Sequence, residues 1–145
     1  TQDIPDLLEA SYAHEQVEAP SRVYREVLTT TWYPILKCVT ALKRNETWRA
    51  LHWLEMIRDR TIQLAALHYG VETRNFAEID QLPEMLLVRL RHTLPTSTDP
   101  IAIRRALMTT TQLFFHVAKD FEATLDCKLA DELQAQMSPY LDIYA

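Results

Sequence analysis

The chain has 145 residues, of which 48% are apolar, with a single glycine and a formal charge of −5. That length makes one domain able to bury about two-thirds of its unfolded surface, and the apolar share argues against disorder. One glycine argues against hairpin-rich sheets, Gly-rich phosphate loops and dinucleotide turns, and the interleaved charges lack the basic stripe of a nucleic-acid binder.

Residues 1–20, with Pro5, Pro20 and scattered acids, read as an entry segment or linker, and 21–145 as one helical domain. The chain begins at Thr1, so a fragment of a longer protein is expected. Ser21 is the expected N-cap of a helix reaching about Arg44, kinked by Pro34. Its apolar side holds Val23, Val27, Cys38 and Ala41, widened by Tyr24, Leu28, Trp32 and Ile35. Asn45 is read as the cap of a second helix over 46–69, with Gly70 just past its end. That helix is apolar on two sides. Leu51, Leu54, Ile62, Ala65 and Tyr69 form one, and Trp53, Ile57, Leu64 and Leu67 the other. A two-sided helix belongs in the middle of a bundle, so 46–69 is expected to be the most buried element.

The polar stretch 71–82 predicts a short helical turn at most. Pro83 opens a third helix that is expected to bury Met85, Leu86 and Leu90, and Val88 with them. Asp99-Pro100 is an acidic cap followed by proline at the first helical position, and starts a fourth helix. It should bury Ile103, Leu107, Phe114, Ala118 and Phe121. A bend near Asp126 leads to a last helix carrying Leu129, Leu133, Met137, Leu141 and Tyr144, perturbed by Pro139. The expected fold is therefore all-α, an antiparallel bundle of four to five helices with short connections. No apolar run approaches the ~20 residues of a membrane span, and no signal peptide is visible. Cys38 and Cys127 fit neither redox nor zinc spacing. Reduced core thiols, a cytoplasmic location and no membrane or nucleic-acid partner are the expectation.

His52, Glu55 and Asp59 share one strip of the second helix because they lie three and four residues apart. The strip reads either as a solvated salt-bridge row or as a ligand contact. A metal would need further ligands, and none is spaced to supply them. Arg58 falls in the centre of an apolar face, where a lone charge is costly. It is expected to be a structural buried charge, paired with Glu55 or an acid on the fourth helix. Trp32 and Trp53 read as packing, while Trp48 and Tyr33 sit nearer polar edges and can line a cleft. His14, His68, His92 and His116 form no spaced set, and no serine has the glycine context of a nucleophile elbow. No catalytic residue is assigned.

The run Lys43-Arg44-Asn45-Glu46-Thr47-Trp48-Arg49-Ala50-Leu51-His52-Trp53-Leu54-Glu55-Met56-Ile57-Arg58, continued by Leu64-Ala65-Ala66-Leu67-His68-Tyr69-Gly70, resembles the helical C-terminal domain of bacterial nucleotidyltransferases of the aminoglycoside- and lincosamide-modifying kind. Gln81-Leu82-Pro83, His92-Thr93-Leu94-Pro95 and Phe114-Phe115 follow in the family's order, so the likeness spans about residues 22–125. The family's glycine-serine phosphate loop and paired metal-binding aspartates are not in this sequence. Asp3 and Asp6 lack that setting. The resemblance implies a partner domain that closes on an N-terminal nucleotidyltransferase domain and supplies one wall of the pocket for a small-molecule acceptor. Magnesium and a nucleoside triphosphate would belong to that other domain. The substrate-binding residues it points to are Trp48, His52, Glu55 and Asp59. The alternative is a stand-alone interaction or oligomerisation module, such as a HEPN-like partner of a small nucleotidyltransferase, with self-association as a homodimer. The HEPN nuclease signature needs a closer arginine–histidine pair than Arg60 and His68, and a wider one than Arg89 and His92.

Overall fold

The computed structural model describes residues 20–125 and 127–142; the entry segment before Pro20 and Tyr144 lie outside them. Within the described residues the chain is all-α, without a strand. No helix there is long and apolar enough to cross a membrane.

The first expected helix is in fact two. A helix over 20–30 (α1) stops at Thr31, and α2 runs over Trp32–Lys43. The break falls three residues before Pro34 rather than at it. Proline has no N–H for the carbonyl of Thr30, and its ring crowds that carbonyl. Restarting at Trp32 places Pro34 in a first turn, where amides lack helical partners anyway. The hydroxyls of Thr29, Thr30 and Thr31 donate back to the carbonyls of Arg25, Glu26 and Val27, a pattern that bends helices.

Two helix ends are built alike. After α2, Asn45 takes φ 57° and the Glu46 amide donates to the Ala41 carbonyl at 2.9 Å. After α3 (Thr47–Tyr69), Gly70 takes φ 68° and the Val71 amide donates to Ala66, also at 2.9 Å. Both are left-handed closures that satisfy otherwise orphaned carbonyls. Asn45 thus closes the helix before it instead of capping the one after it. The N-cap of α3 is Glu46, without a side-chain capping bond. Asparagine enters the left-handed region more readily than most residues, which suits it to this turn.

The three-residue turn folds α3 back along α2: Arg60 meets Thr30, Trp53 meets Tyr33, and Ala50 meets Cys38. On its other side α3 packs against α5 (Pro100–Glu122). Thr47 lies near Ile103 and His68 near Phe121, so these two long helices run in the same direction. A crossover with two 3-10 turns (Arg74–Phe76 and Ile79–Gln81) and the short helix α4 (Glu84–Arg91) makes the return. Asp99 caps α5 as its sequence predicts, its carboxylate accepting from the Ile101 amide at 2.9 Å.

Both long helices span 23 residues, but eleven are buried in α5 and eight in α3, so α5 is the more deeply buried. Leu54, Ile57, Ile62, Leu64 and Ala65 are inside as expected; Leu51, Trp53 and Leu67 are half-buried and Tyr69 is exposed. The two apolar sides of α3 end in wide exposed edges, whereas α5 has α3 on one side and α6 (Ala130–Asp142) on another. In α4 only Leu86 is buried. Met85 and Val88 face outward, because a helix this short cannot turn both them and the Leu86–Leu90 stripe to the core. Glu122 ties the end of α5 to the start of α6. Its carboxylate accepts the Leu129 and Ala130 amides at 2.8 and 2.9 Å and the Tyr24 hydroxyl. Pro139 sits in the exposed end of α6 without terminating it.

Candidate functional site

Trp48, His52, Glu55 and Asp59 come to one solvent-facing strip of α3, and all four are exposed, Trp48 at 78%. The strip is an open surface, one side of a site at most. No ion pair closes the Glu55–Asp59 row among the described residues. The Asp59 carboxyl is raised above its ordinary value, chiefly by partial burial and then by the neighbouring Glu55 charge, with Arg58 opposing both.

Beside this strip lies a chain of aromatic rings meeting edge to face. His52 and Trp53 are 5.0 Å apart, Trp53 and Tyr33 5.5 Å, and Tyr33 and Trp32 5.8 Å between centroids. The Lys37 ammonium sits 5.3 Å from the Tyr33 ring centre. Trp32, expected to pack inside, is 43% exposed, because it lies just past the edge of the buried stripe of Tyr24, Leu28, Thr31, Ile35 and Cys38, which runs on in phase through Thr31. The surface of α2 and α3 thus carries two carboxylates and, reached from their strip through His52, a row of rings in which Trp53 is half-buried and Tyr33 and Trp32 are exposed.

Arg58 does not find a carboxylate. It is part-buried, and its Nε donates to the Thr93 hydroxyl at 2.8 Å while Nη2 donates to the Thr93 carbonyl at 3.1 Å. Thr93 is fully buried, and its carbonyl lies 3.5 Å from the Thr110 hydroxyl of α5, which donates to the Ala106 carbonyl at 2.6 Å. Partial burial lowers the Arg58 pKa, against the pull of Asp59 and Glu55. Its role is to pin the crossover onto α3. Of the other cations, Arg49 pairs with Glu46 at 2.8 Å, and Arg60 donates to Thr30.

The sequence does not reveal a second feature, a groove of about 390 Å³ between the end of α3, the start of α4 and the last turns of α5. Tyr69, Pro83 and Val117 give it an apolar lining, and Glu84, Arg89 and Asp120 give it charge. His116 Nε2 lies 3.3 Å from Asp120 Oδ2, and the His68 ring packs against Tyr69 and Phe121. Its residues come from three separate segments, so no linear spacing announces it. Among the described residues no group of three His, Cys, Asp or Glu side chains is placed to hold a metal ion. Cys38 and Cys127 are free and buried, and burial pushes the Cys38 thiol up to about 12.

No family model, no curated protein and no solved structure matches this chain.

Proposed function

We propose that this chain is the helical substrate-binding domain of a bacterial, antibiotic-modifying nucleotidyltransferase, supplying one wall of the acceptor pocket and not the nucleotide site. The observation that carries the reading is the Glu55–Asp59 pair on one strip with His52, whose ring meets the row of Trp53, Tyr33 and Trp32, the last two exposed. Carboxylates attract the ammonium and hydroxyl groups of an aminocyclitol, and ring faces pack on its C–H surfaces. A one-sided surface of this kind suits a domain whose opposite wall comes from another domain. The described residues do not fit magnesium or a nucleoside triphosphate, lacking both a carboxylate cluster and a glycine loop, so both are assigned to the catalytic domain. The cytoplasm, where nucleoside triphosphates are found, is the corresponding location.

The test is a nuclear magnetic resonance titration of the 145-residue chain with an aminoglycoside and, separately, a lincosamide. Weak saturable shifts confined to the Trp48 and Trp53 indoles and the Glu55 and Asp59 carboxyls are expected for one of them. Shifts confined to His68, Tyr69 and His116 would move the acceptor site to the groove and overturn this placement. The exposed platform also favours a second reading, a stand-alone interaction module. It would show as shifts across Trp32, Tyr33 and Trp53 on adding a separately expressed small nucleotidyltransferase, with none on adding antibiotic.

A further inference from the structure

Among the described residues nothing covers the outer side of α4. Met85 is 81% exposed and Val88 43%. Met85 borders two hollows, the groove of about 390 Å³ toward α3 and α5, and another of about 310 Å³ bounded by Glu84, Val88 and Arg89. It is a ridge between two depressions. At ~100° per residue, Glu84 and Arg89 lie on opposite flanks of the Met85–Val88 ridge, the acid at its N-terminal end and the base at its C-terminal end. Neither has an ion-pair partner among the described residues.

We propose that this face pairs with the same face of a second copy, forming a two-fold homodimer through α4. A two-fold axis between the two copies, set across the Glu84–Arg89 diagonal, brings Glu84 of each copy to Arg89 of the other. The same operation lays the Met85 ridge of each copy into a hollow beside the other's ridge. The charge pattern selects this occupant. A cationic partner would leave Arg89 unanswered and an acidic one would meet Glu84 and Asp120, while a face with Glu84 and Arg89 on opposite corners complements itself. The dimer buries Met85 and Val88, the apolar atoms that α4 cannot turn inward. An eight-residue helix with Tyr69 and Pro83 beside it is a small interface, so association is weak and reversible. This surface is separate from the Trp48–Asp59 strip, and the inference stands whether or not that strip binds an acceptor.

Sedimentation equilibrium of the 145-residue chain, extended to about 1 mM, reads the association directly. A monomer–dimer equilibrium with a Kd on the order of 100 µM is expected. Met85→Glu, at a site too exposed to disturb the core, should abolish the dimer. Glu84→Arg and Arg89→Glu should each weaken it about tenfold or more, and the double reversal should restore it, with helix content unchanged by circular dichroism. A chain that stays monomeric to the top of the range overturns the proposal. So does a Met85→Glu variant that still dimerises, or a double reversal no better than either single one.

Discussion

Arg58 and Thr93 are 35 positions apart in sequence and joined by two hydrogen bonds, Nε to the hydroxyl at 2.8 Å and Nη2 to the carbonyl at 3.1 Å. Thr93 in turn donates its hydroxyl to the Leu90 carbonyl, so the end of α4 is fastened to α3 through one arginine. Arg58→Ala removes both donors and leaves the buried Thr93 carbonyl with only a long contact from Thr110, at 3.5 Å. A loss of about 1–3 kcal/mol in urea unfolding is expected. Arg58→Met keeps the packing of the stem and should fall between wild type and alanine. If both variants melt with the wild type, the guanidinium contributes nothing to holding the crossover.

The two left-handed closures give a second expectation. Gly70 has open space where a Cβ would stand, yet its φ of 68° strains any L side chain. Gly70→Ala should therefore destabilise by about 1–2 kcal/mol through backbone conformation alone. Asn45, at φ 57°, should accept Asn45→Gly with little change, whereas Asn45→Ala should lose about 1 kcal/mol. Thermal melts of the three variants measure this, and equal effects of alanine and glycine at position 45 would remove the left-handed turn as the cause.

These turns mark the boundary of what was legible in the sequence. Gly70, Pro100 and Asp99 impose a local conformation, so the end of α3 and the start of α5 could be read residue by residue. Asn45 imposes one too, but an N-cap and a left-handed closure both accept asparagine, and the residue alone does not choose. Met85 and Val88 were unreadable for a different reason. Over eight residues, two apolar stripes fit the core about equally well, and packing against α5 decides in favour of Leu86. The aromatic platform was half legible: the strip of His52, Glu55 and Asp59 follows from helical spacing, but Trp32 lies at the very edge of the buried stripe, where spacing alone does not decide between packing and exposure. Arg58 was read as paired with a carboxylate, and it bonds Thr93 instead. That the partner is a threonine arriving from beyond α4 is a property of the crossover, which no spacing encodes.

Cys38 provides a pH signature. Its thiol lies in the core against the Ala50 carbonyl, and burial raises its pKa from an ordinary 9.0 to about 12. Between those values the unfolded thiol is ionised while the folded one keeps its proton. The folded state then holds more protons, so stability is full below about pH 9 and falls as pH rises toward 12. Cys38→Ala should flatten that fall in denaturation curves taken across this range. The folded chain should also resist thiol reagents at pH 8 at this position. Fast labelling without unfolding would show the thiol to be accessible.

Glu122 is the joint between α5 and α6. Glu122→Ala removes the acceptor for the amides of Leu129 and Ala130 and the partner of the buried Tyr24 hydroxyl. Hydrogen exchange should accelerate first at those two amides and along α6, with a stability loss of about 1–3 kcal/mol. Glu122→Gln keeps an acceptor oxygen and should recover part of it. Uniform acceleration through α3 and α5 would mean that the carboxylate supports the whole bundle rather than this joint.

The remaining prediction concerns the carboxylates of the proposed acceptor wall. Glu55 and Asp59 are exposed and one turn apart, and among the described residues no ion pair holds either, so replacing them should barely change stability. Their charges are not equivalent: partial burial and the Glu55 charge raise the Asp59 carboxyl above its ordinary value, which leaves Asp59 the better placed to hold a proton shared with an acceptor hydroxyl. If the chain is the proposed acceptor-binding domain, Glu55→Gln in the full-length nucleotidyltransferase should mainly raise the KM for a cationic acceptor, since it would remove a charge acting in binding. Asp59→Asn should lower kcat as well, and nucleotide affinity should stay the same in both variants. Protonation supplies the same comparison without mutagenesis. As pH falls toward the raised carboxyl value the strip loses negative charge, so acceptor affinity should weaken on the acid side, and Asp59→Asn should blunt that dependence. If both variants transfer to the native acceptor at wild-type rates, with an unchanged pH profile, the row is only a solvated edge of α3 and the acceptor binds elsewhere.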